Sequence, residues 1–202
     1  MKLYFAPGAC SMSPHIVLQE SGLTYTLEQV DLKTHRTASG KDYFTINPKG
    51  QVPALELDDG AVLTEGPAIV QFLADRAPEH KLAPAAGSFE RVQLQEWLNF
   101  ISTELHKGFS PLWNAKAPAE THAAAWARLT KWFTLLEGRL ATHRFLMGND
   151  YSVADAYLYT VLNWTTFLKR PLTDWPAIEA YMARVAERPA VQSVLKAEGL
   201  VG

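Results

Sequence analysis

The sequence predicts two unequal parts, an α/β N-terminal domain over residues 1–80 and an all-α C-terminal domain over residues 88–202, joined by a linker at 81–87. Three observations carry this. Strand and hairpin signals are confined to the first part of the chain. The segment from Pro78 to Gly87 gathers Pro78, Pro84, Gly87 and several alanines without any periodicity. Beyond it, apolar residues recur at helical spacing and the hairpin signals stop.

Taken in order, Lys2 to Phe5 is an extended, apolar run broken by Pro7-Gly8, and Pro14 to Glu20 reads as a short helix offering Ile16, Val17 and Leu18 to a core. Tyr25 to Val30 alternates imperfectly, as a strand, and Lys41 to Ile46 makes a helical turn before Asn47-Pro48-Lys49-Gly50. Pro53 to Leu57 and Ala61 to Leu63 flank Asp58-Asp59-Gly60, where Asp-Gly suggests a tight primed turn between antiparallel strands. Ile69, Phe72 and Leu73 then recur on one stripe of a helix from Ala68 to Arg76. The first part therefore reads βαβαββα. Past the linker, Leu94, Leu98, Ile101 and Leu105 give one apolar face to a helix from about Ser88 to Lys107. Further helices are predicted at about Glu120 to Ala141, Ser152 to Leu168, Trp175 to Glu187 and Ala190 to Lys196, the second of them opened by Ser152-Val153-Ala154-Asp155, which has capping-box form.

The chain has 202 residues and a formal net charge of −2, with no basic run to track phosphates, so nucleic acid is not an expected partner. No apolar run approaches the ~20 residues that cross a bilayer, and Pro7-Gly8 follows too soon for a signal-peptide core. The expectation is a cytoplasmic protein without membrane attachment. One cysteine excludes an internal disulfide, and the six histidines show no metal-ligand spacing, so no metal is expected.

That cysteine, Cys10, lies in Gly8-Ala9-Cys10-Ser11-Met12-Ser13-Pro14, between a strand and a helix start whose N–H groups and dipole favour a thiolate. Cys10 is therefore either chemistry or simple packing. Pro53 in Gln51-Val52-Pro53-Ala54 either carries a cis peptide that leaves Val52 free to pair with an extended peptide, or is an ordinary trans proline opening a strand. Glu65-Gly66 at a helix start offers a carboxylate and backbone N–H donors to an amino-acid zwitterion, or is a surface residue suited to the dipole. Asn99, Thr103 and His106 fall on one polar stripe, which faces either a cleft or solvent.

Pro7-Gly8-Ala9-Cys10-Ser11, Asn47-Pro48-Lys49-Gly50-Gln51-Val52-Pro53, Leu63-Thr64-Glu65-Gly66-Pro67-Ala68-Ile69 and Ser152-Val153-Ala154-Asp155 together resemble the bacterial beta-class glutathione transferases. The likeness runs in register over nearly the whole chain. Cys10, where other classes carry Tyr or Ser, with His106-Lys107 downstream, points to the beta class. The resemblance implies an α/β N-terminal thioredoxin-like domain plus an all-α C-terminal domain, the glutathione transferase fold, and a homodimer with Pro53 cis. It implies no cofactor, glutathione being a cosubstrate conjugated to a small apolar electrophile. Carried over, Cys10 faces the glutathione sulfur with Ser11 and His106 around it. Val52 pairs its backbone with the cysteinyl unit, Glu65 and Gly66 hold the γ-glutamyl end, and Gln51 is among the glutathione-binding residues. Asn99, Thr103, Glu104 and His106 complete the site, some of them from a neighbouring subunit. His35 departs from the pattern: related sequences commonly carry Lys there, so a fixed charge near the glycyl carboxylate is replaced by a side chain type that titrates near neutrality. The electrophile is expected in an apolar cleft at Phe109, Trp113 and Trp164. A non-enzymatic ligand-binding or regulatory protein on the same scaffold is the alternative, against which the retention of Cys10, Glu65 and His106 argues.

Overall fold

The structure, a computed structural model, describes residues 1–201. β1 (Lys2–Phe5) and β2 (Thr26–Asp31) lie parallel and are joined by α1 (Met12–Ser21). β3 (Arg36–Thr37) returns antiparallel on β2, and β4 (Ala54–Glu56) and β5 (Val62–Thr64) complete a sheet of order β3-β2-β1-β4-β5. Side chains alternate as a period of two requires: Leu3 and Phe5 enter the large core, while Tyr4 turns to a smaller cluster with Val30, Tyr43, Val52 and Ala54. β3 has no counterpart in the sequence reading, because two residues show no period.

The β4–β5 hairpin departs from the expected primed turn. Leu57 and Ala61 are hydrogen-bonded across a loop in which Gly60 alone takes a positive φ, 85°. The Asp59 side chain fixes this shape by accepting the Ala61 N–H at 3.0 Å, so Asp59 stays out of the left-handed region. The helical turn expected at Lys41 to Ile46 shrinks to Tyr43–Thr45, held by the Asp42 carboxylate on the Phe44 N–H.

α2 (Gly66–Arg76) packs on α1, and the chain then crosses to the helical part. Buried Arg91 pins this crossing: its guanidinium pairs with Asp75 at 2.5 and 3.1 Å and donates to the Pro84 carbonyl at 2.8 Å. The helix expected from Ser88 to Lys107 is in fact interrupted. α3 (Phe89–Phe100), capped by the Ser88 hydroxyl on the Arg91 N–H, widens into a π-helical stretch at Ile101–His106 before a last short turn, α4 (Lys107–Phe109). Gly108 on α4 packs closely on the Leu129 side chain, whose Cδ2 would stand 2.9 Å from a Cβ there.

α5 (Ala119–Leu140) carries Leu129, and α6 (Val153–Leu162), buried along its whole length, runs through the centre of the helical part. The single helix expected from Ser152 to Leu168 divides at Asn163 into α6 and α7 (Trp164–Phe167); α8 (Pro176–Ala186) and α9 (Pro189–Ala197) follow. One apolar core runs through both parts, from Leu3, Ile16, Leu55 and Leu73 to Leu94, Phe109, Phe133 and Leu158. No helix among the described residues is long and apolar enough to cross a membrane.

Candidate active site at the seam between the two parts

Cys10 sits in the loop between β1 and α1, and that loop is clamped from both sides. Within the α/β part, the Ser11 hydroxyl accepts the Ala6 N–H at 3.1 Å and donates to the Ala6 carbonyl at 3.2 Å. From the far end of the chain, Glu198 Oε2 accepts the Gly8 N–H at 2.8 Å, and its other oxygen meets His15 Nδ1 at 2.8 Å; both side chains are buried. The Trp164 indole N–H donates to the Gly8 carbonyl at 2.9 Å. Gly8 takes φ 69°, and a Cβ there would lie 3.0 Å from the Phe167 ring, so only glycine fits between the parts.

The loop delivers Cys10 to a cavity of ≈ 390 Å³. Its α/β wall consists of Ala9, Cys10, Leu32, His35, Asn47, Lys49 to Pro53 and Thr64 to Pro67; its helical wall consists of Ser102, His106, Lys107, Ser110 and Tyr157. The Cys10 thiol donates to the Val52 carbonyl at 3.2 Å, and the Val52–Pro53 peptide is cis, as the resemblance implied. The preceding carbonyl, of Gln51, accepts from the Tyr43 hydroxyl at 3.0 Å and from Asn47 Nδ2 at 2.6 Å, so this edge of the sheet is braced from behind.

The expected thiolate is not found. Burial pushes the Cys10 thiol up to about 11, outweighing the Cys10 and Ser11 N–H groups and the Lys107 charge, which favour the anion. The helix start was read correctly as a source of N–H donors, but the cover over the sulfur comes from tertiary packing that the sequence does not display.

Glu65 caps α2 with φ 72° and ψ 112°, a conformation that costs a non-glycine residue about 1–3 kcal/mol and is held by its surroundings. Those surroundings are the Lys49 ammonium on its carboxylate and the Ala68 and Ile69 N–H groups on its carbonyl. Glu65 and Gly66 thus present a carboxylate and a helix start to the same space. His35, also left-handed at φ 52°, stacks on Phe44 with ring centroids 4.5 Å apart; its Nδ1 is buried and has no hydrogen-bond partner among the described residues.

His106 closes the cavity from the helical side. Its Nδ1 meets the Tyr157 hydroxyl at 2.7 Å and its ring packs edge-on against Trp164. Burial, then the neighbouring Lys107 charge, pushes the imidazole down to about 4, so it is neutral at physiological pH and serves as a hydrogen-bonding group instead of a cation.

Cys10, His35, Gln51, Val52, Glu65, Gly66 and His106 thus line one cavity. The other sequence-predicted residues stand elsewhere. Ser11 is fully buried and its hydroxyl is committed to Ala6. Asn99 and Thr103 are exposed outside the cavity, and Glu104 pairs with Arg128 at 2.7 Å. Within one chain the π-helical stretch at Ile101–His106 breaks the spacing on which the polar stripe was drawn, so that His106 lines the cavity while Asn99 and Thr103 stand outside it. Phe109 is fully buried against Phe133 and Trp164, Trp164 itself is buried, and Trp113 is exposed beside it; none of the three lines the cavity. Lys49, Ser102, Ser110 and Tyr157 were not singled out from the sequence, and Lys107 only as the neighbour of His106. Lys49 had a signal, its place in the turn before Gln51. Tyr157 had none, being one of two tyrosines in the buried helix α6.

Family models for the glutathione S-transferase N-terminal domain and C-terminal domain match residues 8–76 and 100–189. Glutathione S-transferase GstA of Escherichia coli O157:H7 is 49% identical over 99% of this chain and 100% of its own. Among solved structures, a sphingomonad glutathione S-transferase complexed with glutathione is 44% identical with a TM-score of 0.96, over 100% of both chains. A bacterial beta-class glutathione S-transferase from Sphingomonas chungbukensis is 42% identical with a TM-score of 0.96, also over 100% of both. With the cysteine loop, the Val52–Pro53 edge and the Glu65 helix start converging on one cavity, these matches show that the chain belongs to the beta-class bacterial glutathione S-transferases.

Proposed function

We propose that glutathione lies along the α/β wall with its sulfur between Cys10 and His106, its cysteinyl backbone against Gln51 and Val52, and its γ-glutamyl ammonium at Glu65. What carries this reading is the convergence of Cys10, Val52, Glu65 and His106 in one cavity of ≈ 390 Å³. The Gly66 helix start receives the γ-glutamyl carboxylate, with Lys49 beside Glu65 at the same end, and His35 lies toward the glycyl end. Conjugation then needs the glutathione thiol to lose its proton beside neutral His106 and the Cys10 thiol, and its sulfur to displace a leaving group from a small electrophile. Ser11 acts through the loop that presents Cys10. No cofactor enters this chemistry. A cytoplasmic setting, which keeps a lone thiol reduced, suits it.

The homodimer is part of the same proposal. Phe89 and Val92 on α3 are exposed, Leu135 on α5 lines a surface pocket with Trp132 and Phe100, and Asn99 on α3 and Thr103 just beyond it are exposed as well. A second copy on this face would cover the apolar residues and give Asn99, Thr103 and Glu104 a place in a site shared by two subunits.

Thiol–disulfide exchange is the side activity that Cys10 supports. Its thiolate attacks oxidised glutathione, forming a Cys10–glutathione disulfide and breaking the original one. Glutathione thiolate leaves and the Cys10 proton goes to solvent. With no second cysteine, reduced glutathione from solution must release the adduct. Intact-protein mass spectrometry tests this. One glutathionyl mass is expected on native protein, absent in Cys10→Ser, with a rate rising about tenfold per pH unit from about pH 7 to 9 because the thiol titrates far above that range. A rate that levels off near the pKa of an ordinary thiol would show an exposed sulfur. Labelling of denatured protein alone would make Cys10 a packing residue.

A further inference from the structure

The helical wall of the cavity does not match an apolar second substrate. Ser102, His106, Lys107, Ser110 and Tyr157 form it, without an aliphatic side chain or a phenylalanine or tryptophan. The aromatic residues expected there do not line it: Phe109 and Trp164 are in the core, and the cavity-lining His106 packs on Trp164. Charge is unevenly settled around the same space. Lys49 is neutralised by Glu65, and His106 and Cys10 are both uncharged. Lys107 has no ion-pair partner within 4.0 Å among the described residues, and its charge is felt at both the Cys10 sulfur and the His106 ring. On its other side Lys107 borders a shallow groove with Glu120, which makes no ion pair with it, and with Arg128, which is paired with Glu104.

If glutathione occupies the α/β wall, the space beyond its sulfur is bounded by this polar wall. We propose that the second substrate carries an anionic group, a carboxylate on or near the reacting carbon skeleton, and that Lys107 binds it with the Ser102 and Ser110 hydroxyls alongside. This deepens the glutathione transferase reading and rests on it. An ammonium that keeps no internal partner gains most from an anion brought into a partly desolvated cleft, while a neutral ring gains nothing from it. Lys107 is then a specificity-determining residue.

The test compares a chloronitrobenzoate with the matching chloronitrobenzamide. In each, the glutathione sulfur forms a bond to the ring carbon, chloride leaves with the bonding pair, and the thiol proton passes to solvent. Each kcat/KM is divided by the uncatalysed rate with glutathione, which removes the difference in ring activation. Wild-type protein is expected to favour the acid by about tenfold or more. Lys107→Arg should keep the preference, Lys107→Met should bring the ratio close to one, and Lys107→Glu should invert it. Calorimetry with glutathione on each variant shows whether the first substrate still binds. A ratio unchanged in Lys107→Met overturns the proposal, as does an equal loss on both compounds, which would place Lys107 on the glutathione sulfur. A wild-type protein that binds no glutathione would refute the reading beneath it; one that binds glutathione but favours the amide refutes only this inference.

Discussion

Replacing Asp155 by alanine is expected to lower the melting temperature by about 10 °C while leaving glutathione affinity in the refolded protein unchanged. Asp155 is fully buried at the start of α6, the central helix of the helical part. Its Oδ2 accepts both the N–H and the hydroxyl of Ser152 at 2.9 Å, and its Oδ1 accepts the Leu146 N–H at 2.9 Å and the Tyr181 hydroxyl at 3.3 Å. A lost cap alone costs about 0.5–2 kcal/mol, but here alanine also strands the buried Leu146 N–H, at about 1–3 kcal/mol, and leaves a void in the packed start of α6, while the Tyr181 hydroxyl keeps the Asp155 carbonyl at 3.1 Å. A total of about 3–5 kcal/mol corresponds to that shift for a chain of this size. Asp155→Asn, which keeps one acceptor, should lose less. A melting curve matching wild type would mean that the network around Asp155 contributes nothing to stability.

Glu65→Ala is expected to weaken glutathione binding by about 5- to 30-fold, and Cys10→Ala by less than about 3-fold. The carboxylate would meet a full ammonium charge, although its side chain is 67% exposed in the protein alone, and solvent screening lowers the value of the contact. A thiol touching a sulfur is a weak contact by comparison. Removing Glu65 also leaves Lys49 without its partner at the mouth of the cavity, which adds to the loss for an ammonium ligand. Titration calorimetry on both variants decides it: equal or inverted losses would take Glu65 out of the glutathione contact.

What the sequence revealed and what it hid divide along a physical line. β1, the β4–β5 hairpin and the capping residues at Ser152 and Asp155 were legible because each depends on a few neighbouring residues, whereas neighbouring residues left Val52 and Glu65 open and only the family resemblance assigned them to a site. The π-helical stretch at Ile101–His106 was not, since reading a helix by spacing presumes one pitch, and the residues carried on that presumption, Asn99 and Thr103, fall outside the cavity. The charge state of Cys10 depends on cover supplied by Val52 and the helical part. The contacts that hold its loop, from Glu198 and Trp164 to Gly8, join residues 190 and 156 positions apart, beyond any local signal. The aromatic residues Phe109 and Trp164 illustrate a further limit. Large rings serve a core and a substrate cleft equally well by composition, and here they back the His106–Tyr157 pair from within the core.

The most direct check of the site is whether a glutathione analogue shields Cys10. Cys10 is the sole thiol, so alkylation by iodoacetamide at mildly alkaline pH, followed by intact mass, reports on that one sulfur. With S-methylglutathione at saturation the rate should fall by about tenfold or more, in step with occupancy. Glu65→Ala should need a proportionately higher concentration for the same protection. An alkylation rate indifferent to S-methylglutathione, in protein shown by calorimetry to bind it, would contradict the placement of glutathione's sulfur beside Cys10.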